Sequence, residues 1–135
     1  MLYLKAVPQY QKEVFSIMPV EICVSGQTLT ARLSGDIDHH TALAMRTDID
    51  RAVRDTPVTL LILDFSAVTF MDSSGIGLVM GRYKLINGLG GECRIADPPA
   101  YIARVMKLAG LDRLCRIVSL ARIPHREEAE NNADN

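Results

Sequence analysis

The chain has 135 residues, room for one domain and little more. Hydrophobic residues make up 48 % of it, with three Phe and no Trp, so the core must be aliphatic. A formal net charge of −1, with no basic face or tail, gives no bulk electrostatic case for nucleic acid or an anionic membrane as a partner.

At the N-terminus, MLYLKAVPQYQKEVFSIMPV does not read as a signal peptide, because Lys5, Pro8, Gln9, Gln11, Lys12 and Glu13 interrupt its apolar stretch. No run reaches the roughly 18 apolar residues of a membrane span, and the chain reads as cytosolic. Val20 to Val24 and Thr28 to Leu33 are short β-type runs. The intervening Ser25-Gly26-Gln27 predicts an antiparallel hairpin. Gly35 to His40 reads as a polar connection, and Thr41 as the N-cap of a helix carrying Leu43, Ala44, Ile49, Ala52 and Val53. Pro57 ends that helix.

Val58 to Leu63 is an almost unbroken aliphatic run, the pattern of a strand buried on both faces. Phe65 to Met71 reads as a connection anchored by Phe65, Val68 and Phe70. A long helix follows over about Ser73 to Leu89, with Ile76, Val79, Met80, Tyr83 and Ile86 at three- and four-residue steps. Gly88, Gly90 and Gly91 terminate it. Glu92 to Asp97 predicts another strand. Pro98-Pro99 opens a third helix with Ile102, Val105, Met106 and Leu108 on one face, and Gly110 closes it. Leu114 to Leu120 predicts the last strand, and residues 121–135 form a polar tail, frayed or disordered.

The order is β-β-α-β-α-β-α-β. Strands that alternate with helices demand parallel pairing through right-handed crossovers. The expected class is α/β: a small mixed sheet, its N-terminal hairpin strand antiparallel and the rest mainly parallel, with helices packed mainly on one side. Cys23, Cys93 and Cys115 sit far apart within apolar runs and read as reduced core thiols. They lack the C-x-x-C spacing of a zinc site, and no cofactor is expected.

Phe70 to Gly81, FMDSSGIGLVMG, concentrates the small polar groups. Asp72 or Ser73 as a plain helix cap is one reading. Gly75, Gly77 and Gly81 before a helix, with Asp97 about 20 residues on, form a weak dinucleotide signature, one residue longer than the usual fingerprint. A serine nucleophile would need the G-x-S-x-G elbow, which is missing. His39 and His40 with Asp36 and Asp38 lack metal-ligand spacing. Phosphorylation is the remaining reading: a helix N-terminus tolerates a phosphate, and added charge beside Asp72 and Asp38 would switch off a contact surface.

Two motifs decide among these. SGDIDHHTA (Ser34 to Ala42) and FMDSSGIGLVMGRYKLINGLGGE (Phe70 to Glu92) resemble the anti-sigma factor antagonists of the STAS domain family, most of all those of sporulation sigma-F systems. RVMKLAGLDRLCRI (Arg104 to Ile117) is similar to that family's last helix and strand. The resemblance covers about residues 18 to 120, and it implies a non-enzymatic switch. Such proteins bind an anti-sigma factor that is itself a serine kinase and so free a sigma factor. The kinase inactivates them by phosphorylating one serine, and a serine phosphatase restores them. By motif position that serine is Ser73. The resemblance places Asp38, His39, Asp72, Ser74, Gly75 and Gly77 on the partner surface, with Gly75 and Gly77 letting the partner's backbone approach. Two rivals remain: a STAS module of a stress-response circuit, and a small nucleotide-binding protein. Residues 1–17 precede the usual family start, so Met18 is expected to be the natural initiator; residues 121–135 follow the domain.

Overall fold

The protein is described here by a computed structural model covering residues 20–122. The extension read over residues 1–17, the proposed start at Met18 and the tail beyond Arg122 lie outside the described residues. Strands β1 (Val20–Ser25) and β2 (Thr28–Ile37) form the expected hairpin, and Gly26 takes φ +60 in its tight turn. Helix α1 (His39–Asp55) leads to β3 (Leu60–Met71), α2 (Ser73–Gly88), β4 (Glu92–Ala96) and α3 (Ala100–Leu108). Short 3-10 turns at Leu111–Arg113 and Leu120–Arg122 flank β5 (Arg116–Val118). The sheet runs β1-β2-β3-β4-β5; β1 and β2 are antiparallel and every other pair is parallel.

Alternation along the strands builds the core. Leu29, Ala31 and Leu33 of β2, Leu61, Leu63 and Phe65 of β3, and Cys93 and Ile95 of β4 are buried in one cluster. Met45, Ile49 and Val53 of α1, Leu78, Val79 and Ile86 of α2, and Ile102 and Met106 of α3 join the same cluster. Each fully buried aliphatic side chain contributes roughly 1.5–3 kcal/mol. The opposite face presents Glu21, Cys23, Thr30, Arg32 and Arg94, partly or fully exposed, around a buried centre of Ile62, Asp64 and Ala96, while the core residues of all three helices cluster with the first face.

Four expectations change. Gly35 to Ile37 and Phe65 to Met71 are strand rather than connection: Ser34, Gly35, Asp36 and Ile37 pair with Ala67, Val68, Phe70 and Met71. The register slips between Arg32 and Ser34 and again between Gly35 and Asp36, which breaks the two-residue alternation that marks a strand in sequence. Helix α2 buries Val79 and Ile86 as expected, but its inward face is shifted to take in Leu78 and Arg82 and to leave Met80 exposed. In α1, Met45 is buried while Leu43 is 58 % exposed. Finally, β5 is only three residues long.

Candidate functional site

Strands β2 and β3 end in register, Ile37 opposite Met71, and each passes through one aspartate straight into a helix. Asp38 caps α1: its Oδ1 accepts from the N–H of His40 at 2.9 Å and of Thr41 at 3.0 Å. The Thr41 hydroxyl in turn accepts from the Asp38 N–H at 2.8 Å. Thr41 is therefore not the N-cap but the third helical residue, which closes a reciprocal capping box. Asp72 caps α2 by accepting from the Ser74 N–H at 2.7 Å. The two caps are tied together, because the Asp72 N–H donates to the Ile37 carbonyl at 3.1 Å. Below them, the Thr69 hydroxyl donates to Asp36 at 2.9 Å.

The N–H of Thr41, with a smaller contribution from that of His40, holds the Asp38 carboxyl below its usual range against a smaller desolvation effect. Its charge is therefore secure at neutral pH. Ser73 is the first residue of α2 and is exposed. Among the described residues its hydroxyl has no hydrogen-bond partner, since the capping task falls to Asp72. An exposed hydroxyl thus stands at a helix mouth, next to Asp72 and at the same end of the sheet as Asp38.

Ser74, Gly77 and Gly81 of α2 face His39, Leu43 and Arg46 of α1 across a groove of about 360 Å³. Of the expected residues, His39, Ser74 and Gly77 line this groove, and Asp38 and Asp72 cap the two helices that form it. Gly75 is buried, and a Cβ there would run into the Met71 side chain. Its missing side chain seats α2 on the end of β3 and does not admit a partner's backbone. Gly77 is exposed with open space around it, so it does lie on the surface. Leu43, which lines the groove, is an exposed apolar side chain, as are Phe70 near the end of β3 and Met80 on α2.

An ion pair that the sequence did not announce braces the two helices. Arg82 Nε lies 2.7 Å from Asp50 Oδ1, with the two side chains 7 % and 15 % exposed. The contact is charge on charge rather than an aligned hydrogen bond. Burial pulls the Arg82 pKa down and the Asp50 charge opposes it. Asp50 and Arg82 are distant in sequence and each lies in an otherwise ordinary helical pattern, so no local signal marks the pair.

The glycine-turn reading fails on geometry. Gly75, Gly77 and Gly81 lie inside α2 rather than in a strand-to-helix turn, and Asp97 already accepts from the Leu120 N–H at 3.1 Å. Among the described residues, no cluster of three or more His, Cys, Asp or Glu is placed to hold a metal ion. Nor, among them, is any helix long and apolar enough to cross a membrane.

Comparison with known proteins bears on this arrangement. Residues 20–122 match the STAS domain family. The chain is similar to an anti-sigma F factor antagonist from Paenibacillus polymyxa, 39 % identical over 89 residues that span 66 % of this chain and 76 % of that protein. Its fold is similar to the anti-sigma factor antagonist SpoIIAA in its unphosphorylated form, with TM-score 0.66 and 28 % identity over 85 % of this chain and 96 % of that one. The phosphorylated form of the Bacillus cell fate determinant SpoIIAA gives TM-score 0.61 and 30 % identity over 84 % and 98 %.

Proposed function

The chain belongs to the STAS domain family, and on that premise we propose that it is an anti-sigma factor antagonist, a regulator rather than an enzyme, switched by phosphorylation of Ser73. The bare protein binds an anti-sigma factor that is a serine kinase, and this binding releases a sigma factor. Its setting is the cytoplasm. The similarity to an anti-sigma F factor antagonist supports a sigma-F circuit over a stress-response one. SpoIIAA, to which the fold is similar, occurs in both unphosphorylated and phosphorylated forms.

The observation that carries the reading is the Ser73 hydroxyl, exposed and without a partner among the described residues at the start of α2 while Asp72 does the capping. A kinase can take this hydroxyl without breaking the helix. Its base removes the Ser73 proton, the serine oxygen attacks the γ-phosphorus of ATP, and ADP leaves. The phosphate adds about two negative charges beside Asp72 and at the end of the sheet that carries Asp38. The Ser74 N–H already serves Asp72, so it is not free to neutralise the newcomer. The added charge therefore faces outward, where it repels and must be desolvated by anything that docks. Asp38, His39, Asp72, Ser74 and Gly77 form the contact face, and Gly75 fixes its shape from beneath. A serine phosphatase resets the switch.

The test is incubation with the cognate anti-sigma kinase and ATP, read by intact mass and phosphopeptide mapping. The expected result is one phosphate, on Ser73, and none on Ser73→Ala. A phosphate mapped to Ser74 or elsewhere refutes the assignment.

A further inference from the structure

Two buried thiols take no part in the proposed switch. Cys93 is on β4 and Cys115 immediately precedes β5; they are 2 % and 0 % exposed and belong to the same core cluster. The parallel ladder between these strands begins at Arg94 opposite Arg116. One step back along each strand stand Cys93 and Cys115. Adjacent strands lie about 4.8 Å apart, inside the roughly 4.4–6.8 Å between Cα atoms that a disulfide spans. The Cys115 N–H donates to the Leu111 carbonyl at 2.8 Å, which fixes its backbone in place. Both thiols are free.

We propose that Cys93 and Cys115 are a redox latch, closing to an intramolecular disulfide when the folded protein meets a peroxide and reopening with a dithiol reductant. The thiols influence each other directly. The Cys93 side chain lowers the Cys115 pKa against the effect of burial, while the Cys115 side chain, together with burial, pushes Cys93 up. Cys115, which adjoins the short edge strand β5, is the attacking group. Its thiolate takes the terminal oxygen of hydrogen peroxide, the O–O bond breaks and hydroxide leaves, giving a sulfenic acid. The Cys93 sulfur then attacks the Cys115 sulfur and expels hydroxide. The protons of the two thiols convert both hydroxides to water. In balance, two thiols and one peroxide give one disulfide and two waters, with two electrons passing from sulfur to oxygen. Access comes through β5, a three-residue strand that, among the described residues, lies at the edge of the sheet and pairs with β4 alone. Cys23 cannot compete for either partner, because it is exposed on the opposite face of the sheet beside Thr30.

The experiment uses the full chain as Cys23→Ser, which removes the surface thiol and with it disulfide-linked dimers. Hydrogen peroxide is applied under conditions where circular dichroism stays native. The expected product has lost two hydrogens, its non-reducing peptide map joins the Cys93 and Cys115 peptides, and dithiothreitol restores the original mass. Exchange of the β5 amides should slow about tenfold or more in the oxidised form. Cys115→Ala should leave Cys93 unlinked. Thiols that stay free, sulfurs that only gain oxygen, or a cross-link that forms only after unfolding each overturn the proposal. No partner protein enters the measurement, so its outcome is independent of the Ser73 switch.

Discussion

Adjacent residues divide two tasks at the mouth of α2. Asp72 satisfies the helix, and Ser73 is left exposed. Replacing Asp72 by Ala should cost about 1 kcal/mol of stability, as cap removals do, in a urea titration followed by circular dichroism. Ser73→Ala should change stability by less than about 0.5 kcal/mol in the same titration, because a surface hydroxyl with no partner is lost. On the other cap, Asp38 has a carboxyl held below its ordinary range by the N–H of Thr41 and then of His40. A carboxyl depressed in the folded state stabilises fully above its unfolded pKa and stops doing so as pH falls through the folded value. The protection factors of the His40 and Thr41 amides, measured against intrinsic exchange at the same pH, should therefore fall below about pH 4, and Asp38→Asn should flatten that dependence. At this scale the sequence was partly legible. The Asp-Ser-Ser-Gly motif singled out Ser73, which stands exposed at the start of α2, but Asp38 and Thr41 are both good capping residues and bond each other reciprocally, so spacing alone could not say which one leads.

Helix α2 owes its seating to side chains that are absent as much as to those present. A methyl at Gly75 meets Met71, so Gly75→Ala should destabilise the protein by about 1–3 kcal/mol, the cost of overpacking. Gly77→Ala meets nothing and should stabilise by about 0.5–1 kcal/mol through helix propensity. Thermal melts of the two variants should thus move in opposite directions. Between α1 and α2, Asp50→Ala strands a buried guanidinium and should cost on the order of 3 kcal/mol in the urea titration. The apolar pair Asp50→Leu with Arg82→Met should recover most of that loss. None of this was readable from periodicity. With Arg82 buried and Met80 exposed, the inward face of α2 departs from its apolar stripe. The ends of β2 and β3 escaped notice for a related reason: two register slips and a polar Gly35-Asp36 pair erase the alternation, and only the neighbouring strand supplies the missing order.

Over the whole molecule the order of elements was legible, because long aliphatic runs and helix-breaking residues punctuate the chain clearly. Parallel order then follows from the alternation of strands and helices. Geometry adds what order cannot. Two parallel strands end level, two aspartates cap two helices side by side, and one exposed hydroxyl sits at that end of the sheet. With a net charge of −1 on the chain, a phosphate there adds to the residual charge and is concentrated where a partner would dock. The most direct test is calorimetric titration of the cognate anti-sigma factor with chain phosphorylated to completion at Ser73, beside the bare chain. Like charges forced together across an interface cost several kcal/mol, so the modified form should bind about 100-fold more weakly or worse. Equal affinity for the two forms would contradict the account.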